Sequence, residues 1–188
     1  MKKIIIILSI FTLAILPVGG AFANDKDPGE LRAEIDNMAS ETLQRLYKQS
    51  PTAKGAIAAA YGYAVFDNFG LKIFLLGGGK GHGVAVTNQG QRTYMKMLEV
   101  QGGCGLGAKG FSLIVVFDNA DVFNSFVNKG WEFGGQATAA AKVEDKGGAM
   151  QGAAAVQPGI WMYQLTDQGL EAAITLKGTK YYKDDELN

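Results

Sequence analysis

The chain has 188 residues, with 18 basic and 18 acidic side chains, one histidine and one cysteine. Balanced charge excludes bulk attraction to nucleic acid, and a lone Cys104 excludes an intramolecular disulfide. The length suits one domain with a core of its own.

The first residues read as a secretory signal. Lys2 and Lys3 make a positive start, residues 4–16 an apolar run, and residues 17–20 a break. Ala21-Phe22-Ala23 then supplies the small-x-small pattern of a signal-peptidase site. Cleavage is expected after Ala23, with the product exported to the periplasm or the medium. The apolar run is shorter than the roughly 18–20 residues that span a bilayer, which disfavours a retained anchor. No cysteine near the cut offers a lipobox. The expected domain, residues 24–188, is slightly richer in acids than in bases once Lys2 and Lys3 are gone.

Asp27-Pro28-Gly29-Glu30 predicts a helix start, with Asp27 as cap, Pro28 in the first helical position and Glu30 as a capping-box acid. Leu31, Ile35, Met38, Thr42 and Leu46 follow at helical spacing, widened by Leu43 and Tyr47, so an amphipathic helix is predicted over 28–49. Ser50-Pro51 predicts a capped second helix to about Ala59. Strands are predicted at 61–66, 71–76, 83–87, 91–100 and 106–117, with a turn at Asn88-Gln89-Gly90. The run Leu113-Ile114-Val115-Val116-Phe117 is apolar on both faces, as in a strand covered on both sides.

Asp118 looks like the cap of another helix, with Val122, Phe123, Phe126 and Val127 as its stripe and Gly130 as its stop. Residues 131–143 return to strand texture, 144–152 read as a loop, and 160–165 with 170–176 as a hairpin around Thr166-Asp167-Gln168-Gly169. A short pairing at 179–182 precedes a charged tail, 183–188, which reads as a frayed end. Short connections leave little room for crossover helices. The expected fold is therefore α+β: a Gly-rich, mostly antiparallel, curled and barrel-like sheet with an N-terminal helical segment and one inserted helix.

The chain holds 26 glycines, many of them inside these strands. Glycine weakens a strand, so sharp bends, bulges or close approach of another group must require it. Strong curling is the plainer reason; a ligand is the other. Gly77-Gly78-Gly79-Lys80-Gly81-His82-Gly83 lacks the hydroxyl residue after lysine that a nucleotide-phosphate loop needs. As a turn with Lys80 and His82 at its tip, it could still hold an isolated lipid phosphate through backbone N–H groups.

Acid–base chemistry is sparse. His82 has no nucleophile motif near it, and no ligand spacing supports a metal. Glu99 reads as an outward-facing strand residue, and Cys104 as a small buried side chain. The chain is not expected to be an enzyme or to carry a cofactor.

Several segments together resemble one family. They are Tyr61-Gly62-Tyr63-Ala64-Val65-Phe66, the Gly-rich 77–83, and Gly103-Cys104-Gly105-Leu106-Gly107-Ala108-Lys109. Trp131-Glu132-Phe133-Gly134, Gly169-Leu170-Glu171-Ala172 and the closing Leu176-Lys177-Gly178-Thr179-Lys180-Tyr181 complete the set. Their order is similar to that of SYLF domains, in the exported bacterial branch. The resemblance implies a lipid-binding domain. Its eukaryotic relatives bind phosphoinositide membranes and actin through a membrane-active N-terminal helix, matched here by 28–59; actin is not expected as a partner of an exported bacterial protein.

The expected function is thus non-catalytic lipid binding at the cell envelope, to an anionic phospholipid or phosphoinositide-like lipid. Arg45, Lys48, Lys54, Lys72, Lys80 and Lys109 are the candidate headgroup contacts. The apolar stripe of the first helix, or a Gly-rich concavity, would meet the acyl chains. The alternatives are an envelope scaffold that binds protein through sheet edges and, less favoured, a small outer-membrane barrel.

Overall fold

The structure is a computed structural model and describes residues 27–67, 78–100, 111–132, 150–171 and 179–188. The expected signal segment, the strand expected at 71–76 and Cys104 lie outside them. Among the described residues the expected α+β architecture is observed, with three helices and a curled antiparallel half-barrel sheet.

The elements in order are α1 (Pro28–Gln49), α2 (Pro51–Ala59), β1 (Gly62–Asp67), β2 (Gly78–Thr87), β3 (Arg92–Val100) and β4 (Phe111–Phe117). There follow α3 (Ala120–Lys129), β5 (Trp131–Glu132), β6 (Ala154–Gln157), β7 (Ile160–Thr166), β8 (Gly169–Glu171) and β9 (Thr179–Lys183). The strands join in the order β5-β9-β3-β2-β1-β4-β7-β6, with β8 also on β7, and the described pairings are antiparallel. β7 therefore carries β4 on one edge and divides the other between β6 and β8.

Alternation along the central strands sorts their side chains onto two covered faces. Val65, Val84, Val86, Ile114, Val116, Trp161, Tyr163 and Leu165 join Ile35, Ala39 and Leu46 of α1 and Ala53 and Ile57 of α2. Phe66, Met95, Met97, Leu113, Val115, Phe117, Ile160 and Met162 join Phe123, Phe126 and Val127 of α3. All seven residues of β4 are buried, as a strand between two helical layers requires. On the α3 face, Phe66, Phe117, Phe126 and Tyr181 pack with ring centroids 4.8–6.1 Å apart, a spacing at which aromatic rings attract.

Local signals set the helix ends. The Asp27 carboxylate accepts from the N–H groups of Gly29 (2.8 Å) and Glu30 (3.4 Å), satisfying two donors that the first turn of α1 leaves open. α3 is capped by Asn119, not by Asp118: the Asn119 side chain accepts from Asp121 N and Val122 N at 3.1 and 3.2 Å. Ser50 does not cap α2 with its hydroxyl, which donates instead to the carbonyl of Gln151 at 3.0 Å and ties the helix junction to the turn before β6.

Two further expectations fail for a physical reason. The Gly-rich stretch from Gly78 is strand and not a turn, because each of its residues pairs with β3, from Gly78 opposite Val100 to Gly83 opposite Met95. Lys80 and His82 thus lie along β2 and not at the tip of a turn. The tail after β9 is not frayed. Asp184 and Leu187 are 1% and 3% exposed, and the tail is bonded to β3 and α1.

Candidate functional site

α1 crosses one sheet face obliquely. Its first half lies by β3, where Asp36 meets Arg92 (3.3 Å) and the Tyr94 hydroxyl (3.2 Å). Its last turns reach the β7–β8 hairpin, where the Arg45 guanidinium donates to the carbonyl of Thr166 at 3.2 Å. Thr166 stands opposite Phe111, in the row next to Leu165–Ser112–Asp67–His82. Arg45 is therefore at the sheet end where β1 finishes and β4 begins, and Lys80 on β2 lies toward the same end, opposite Leu98.

Lys48 is exposed one turn beyond Arg45, and Lys54 is exposed in the first turn of α2. Neither makes an ion pair among the described residues. Lys72 and Lys109 lie outside the described residues. The described residues flanking them in sequence, Asp67 and Gly78 for one and Val100 and Phe111 for the other, stand at this end of the sheet. The acids Asp167 and Glu171 of the β7–β8 hairpin are here too; Glu171 accepts from the Thr166 hydroxyl at 3.2 Å.

The surfaces that the sequence offers to acyl chains are occupied among the described residues. Ile35, Ala39 and Leu46 of α1 are 3%, 6% and 0% exposed because the stripe packs on the sheet. The opposite face is filled by α3 and its aromatic cluster. A cleft of about 200 Å³ opens beside that cluster, between α3 and the β6–β7 turn, with Val122, Phe126, Trp131 and Ile160 in its lining.

One arrangement is absent from the sequence reading. Register places Ser112, Asp67, His82 and Lys96 side by side on four neighbouring strands, and alternation with Ile114, Val65, Val84 and Tyr94 puts them on the α1 face. Lys96 bonds Asp184 and Glu186, each at 2.9 Å. The hydrogen bond to Asp184, more than the one to Glu186, raises the Lys96 pKa against the opposing effect of burial. Burial pushes the His82 imidazole below its usual range; Asp184 opposes that shift and Lys96 adds to it. Ser112 Oγ, His82 Nδ1 and Asp184 Oδ2 are buried and have no hydrogen-bond partner among the described residues.

This row does not form a hydrolytic triad. Asp67 separates Ser112 from His82, so their backbones are two strand spacings, about 10 Å, apart, too far for the hydroxyl–imidazole hydrogen bond such chemistry needs. Glu99 is in backbone register with Gly79 on β2 and Thr179 on β9, three residues along β3 from Lys96. Among the described residues no three His, Cys, Asp or Glu side chains gather to hold a metal ion. No described helix is long and apolar enough to cross a membrane.

No family model matches the chain. A curated bacterial protein, "Beta cell expansion factor A" of Aeromonas veronii, is 34% identical over 165 residues, which is 87% of this chain. The chain is thus similar over most of its own length to that protein, while it spans 61% of the relative's length.

Proposed function

We propose that the chain is an exported, non-catalytic SYLF-type domain that binds anionic phospholipid surfaces at the cell envelope. The observation that carries this reading is the cationic corner at the α1–α2 junction. Lys48 and Lys54 are exposed and make no ion pair among the described residues, and Arg45 lies one turn before Lys48 on α1. The resemblance of the ordered Gly-rich and aromatic segments to SYLF domains gives the corner its ligand class, and the signal-like residues 1–23 give the export.

The physics of such a contact is peripheral. Each basic side chain near an anionic bilayer contributes about 1 kcal/mol, within a Debye length of the surface. With the α1 stripe and the α3 face occupied in this conformation, attraction begins at the headgroups, and it is salt-sensitive. The reading is tested by co-sedimentation of the protein without residues 1–23 with vesicles of phosphatidylcholine alone or mixed with phosphatidylglycerol. Binding confined to the anionic vesicles and reversed by 0.5 M salt, roughly a 4 Å Debye length, is the expected result. Absence of binding to both at low salt would overturn it.

A further inference from the structure

We propose that residues 184–188 form a strap that holds the first half of α1 closed on the sheet, and that opening this strap frees the apolar stripe of α1 for a lipid surface. The inference rests on the lipid reading above and adds its regulation. The strap begins where β9 stops pairing. Asp184 N donates to the carbonyl of Tyr94 at 3.0 Å, and the Asn188 side chain then completes what the ladder lacks. Its Nδ2 donates to that same carbonyl at 2.8 Å, and its Oδ1 accepts from Tyr94 N at 3.0 Å. A side-chain amide thus stands in for a strand residue on the β3 edge.

The strap is tied to α1 as well as to the sheet. Arg32 Nε donates to the Leu187 carbonyl at 2.9 Å, with its guanidinium carbon 6.0 Å from the centre of the Tyr94 ring. Leu187, 3% exposed, belongs to the same apolar cluster as Ile35. The root of the strap is fixed by Asp184, whose carboxylate meets Lys96 Nζ at 2.9 Å and accepts Glu186 N at 3.1 Å.

The two halves of α1 are held differently. Ala39, Thr42 and Leu46 are buried in the middle and last turns, with Leu43 and Tyr47 partly buried beside them. Before Ala39 only Ile35 is fully buried, and Leu31 and Met38 are partly so. Polar ties through Arg32 and Asp36 supplement that weaker apolar contact. Water can replace such polar bonds at small net cost, and the segment with fewer buried apolar groups opens first. Released as a unit, the first turns would present Leu31, Ile35 and Met38 on one side, a ready insertion face.

The test uses hydrogen exchange and vesicle flotation on one set of proteins lacking residues 1–23: wild type, Asn188→Ala, Asp184→Asn and the control Asp185→Ala. Asn188 and Asp185 are exposed, so their variants should fold. In the absence of lipid, Asn188→Ala and Asp184→Asn are expected to speed exchange in residues 31–38 at least tenfold, leaving β1 and β4 unchanged and Asp185→Ala like wild type. Flotation with phosphatidylglycerol vesicles should rise at least threefold in the same two variants. Unchanged exchange in 31–38 overturns the strap, as does acceleration spread over the whole domain. Selective loosening with flotation equal to a wild type that floats overturns the gating and spares the lipid reading. Selective loosening with no flotation by any protein overturns the lipid reading, and the gating with it.

Discussion

Gly83 on β2 lies directly opposite Phe66 on β1, and the ring of Phe66 occupies the space that a side chain at position 83 would need. Phe66 is fully buried and packs edge-on against Tyr181 at 4.8 Å and Phe126 at 6.1 Å. The glycine is therefore one half of the α3-face core, since the ring folds across a neighbouring strand only if that strand is bare. Gly81 has a related role, with Met97 Cε 2.8 Å and the Asp67 carbonyl oxygen 2.6 Å from where a Cβ would stand.

Replacing Gly83 with alanine should displace Phe66 and lower stability by about 2–3 kcal/mol, the cost of overpacking a filled core. Gly55, exposed in α2 with nothing near its Cβ position, is the internal control. Gly55→Ala should stabilise by about 0.5–1 kcal/mol through helix propensity. Urea unfolding followed by circular dichroism measures both. An unchanged midpoint in Gly83→Ala would show that the ring has somewhere else to go.

The buried Asp184 carboxylate depends on Lys96. Lys96→Ala leaves a charge that is 1% exposed without its ion pair and should cost about 3 kcal/mol, as breaking a buried pair does. Asp185→Ala, one residue along, should change stability by less than about 0.5 kcal/mol. The same urea titration compares them.

His82 makes stability depend on mild acid. Burial holds its folded pKa below the usual 6.5, so between the two values the unfolded chain binds the proton and the folded chain does not. Stability therefore rises with pH across that window, and it falls as pH drops through about 6.5 toward the folded value. Around the imidazole stand Asp184 and Lys96, with Asp67 in register on the adjoining strand. The urea midpoint of wild type should fall between pH 7.5 and pH 5.5 by more than that of His82→Gln. Equal falls would mean that the titrating groups lie elsewhere.

What could be read beforehand divides by range of interaction. The Asp27 cap, the stripe of α1, the doubly apolar β4 and the hairpin around Asp167-Gln168 are written in residues a few positions apart, and each is observed. β6 leaves no signal in the sequence, because the four residues before Pro158-Gly159 offer too short an alternation to count. Gly78–Gly83 reads as a turn because four glycines among its six residues leave no apolar alternation to show. Its structure is determined by Phe66 and β3, both distant in sequence. The same limit hid the site. Ser112, Asp67, His82 and Lys96 share a row only through strand register, and Asp184 looks like frayed-tail chemistry until Lys96 is beside it. Arg45 was legible as a cation but not as a tie to the Thr166 carbonyl.

The most direct test of lipid binding through the α1–α2 corner is flotation on phosphatidylglycerol-containing vesicles at low salt, comparing wild type with Lys48→Glu/Lys54→Glu, both lacking residues 1–23. Both lysines are exposed and unpaired among the described residues, so the double variant should keep the wild-type urea midpoint. Reversing two charges near an anionic surface at about 1 kcal/mol each should reduce vesicle binding at least tenfold. A folded double variant that floats as well as wild type would contradict the account.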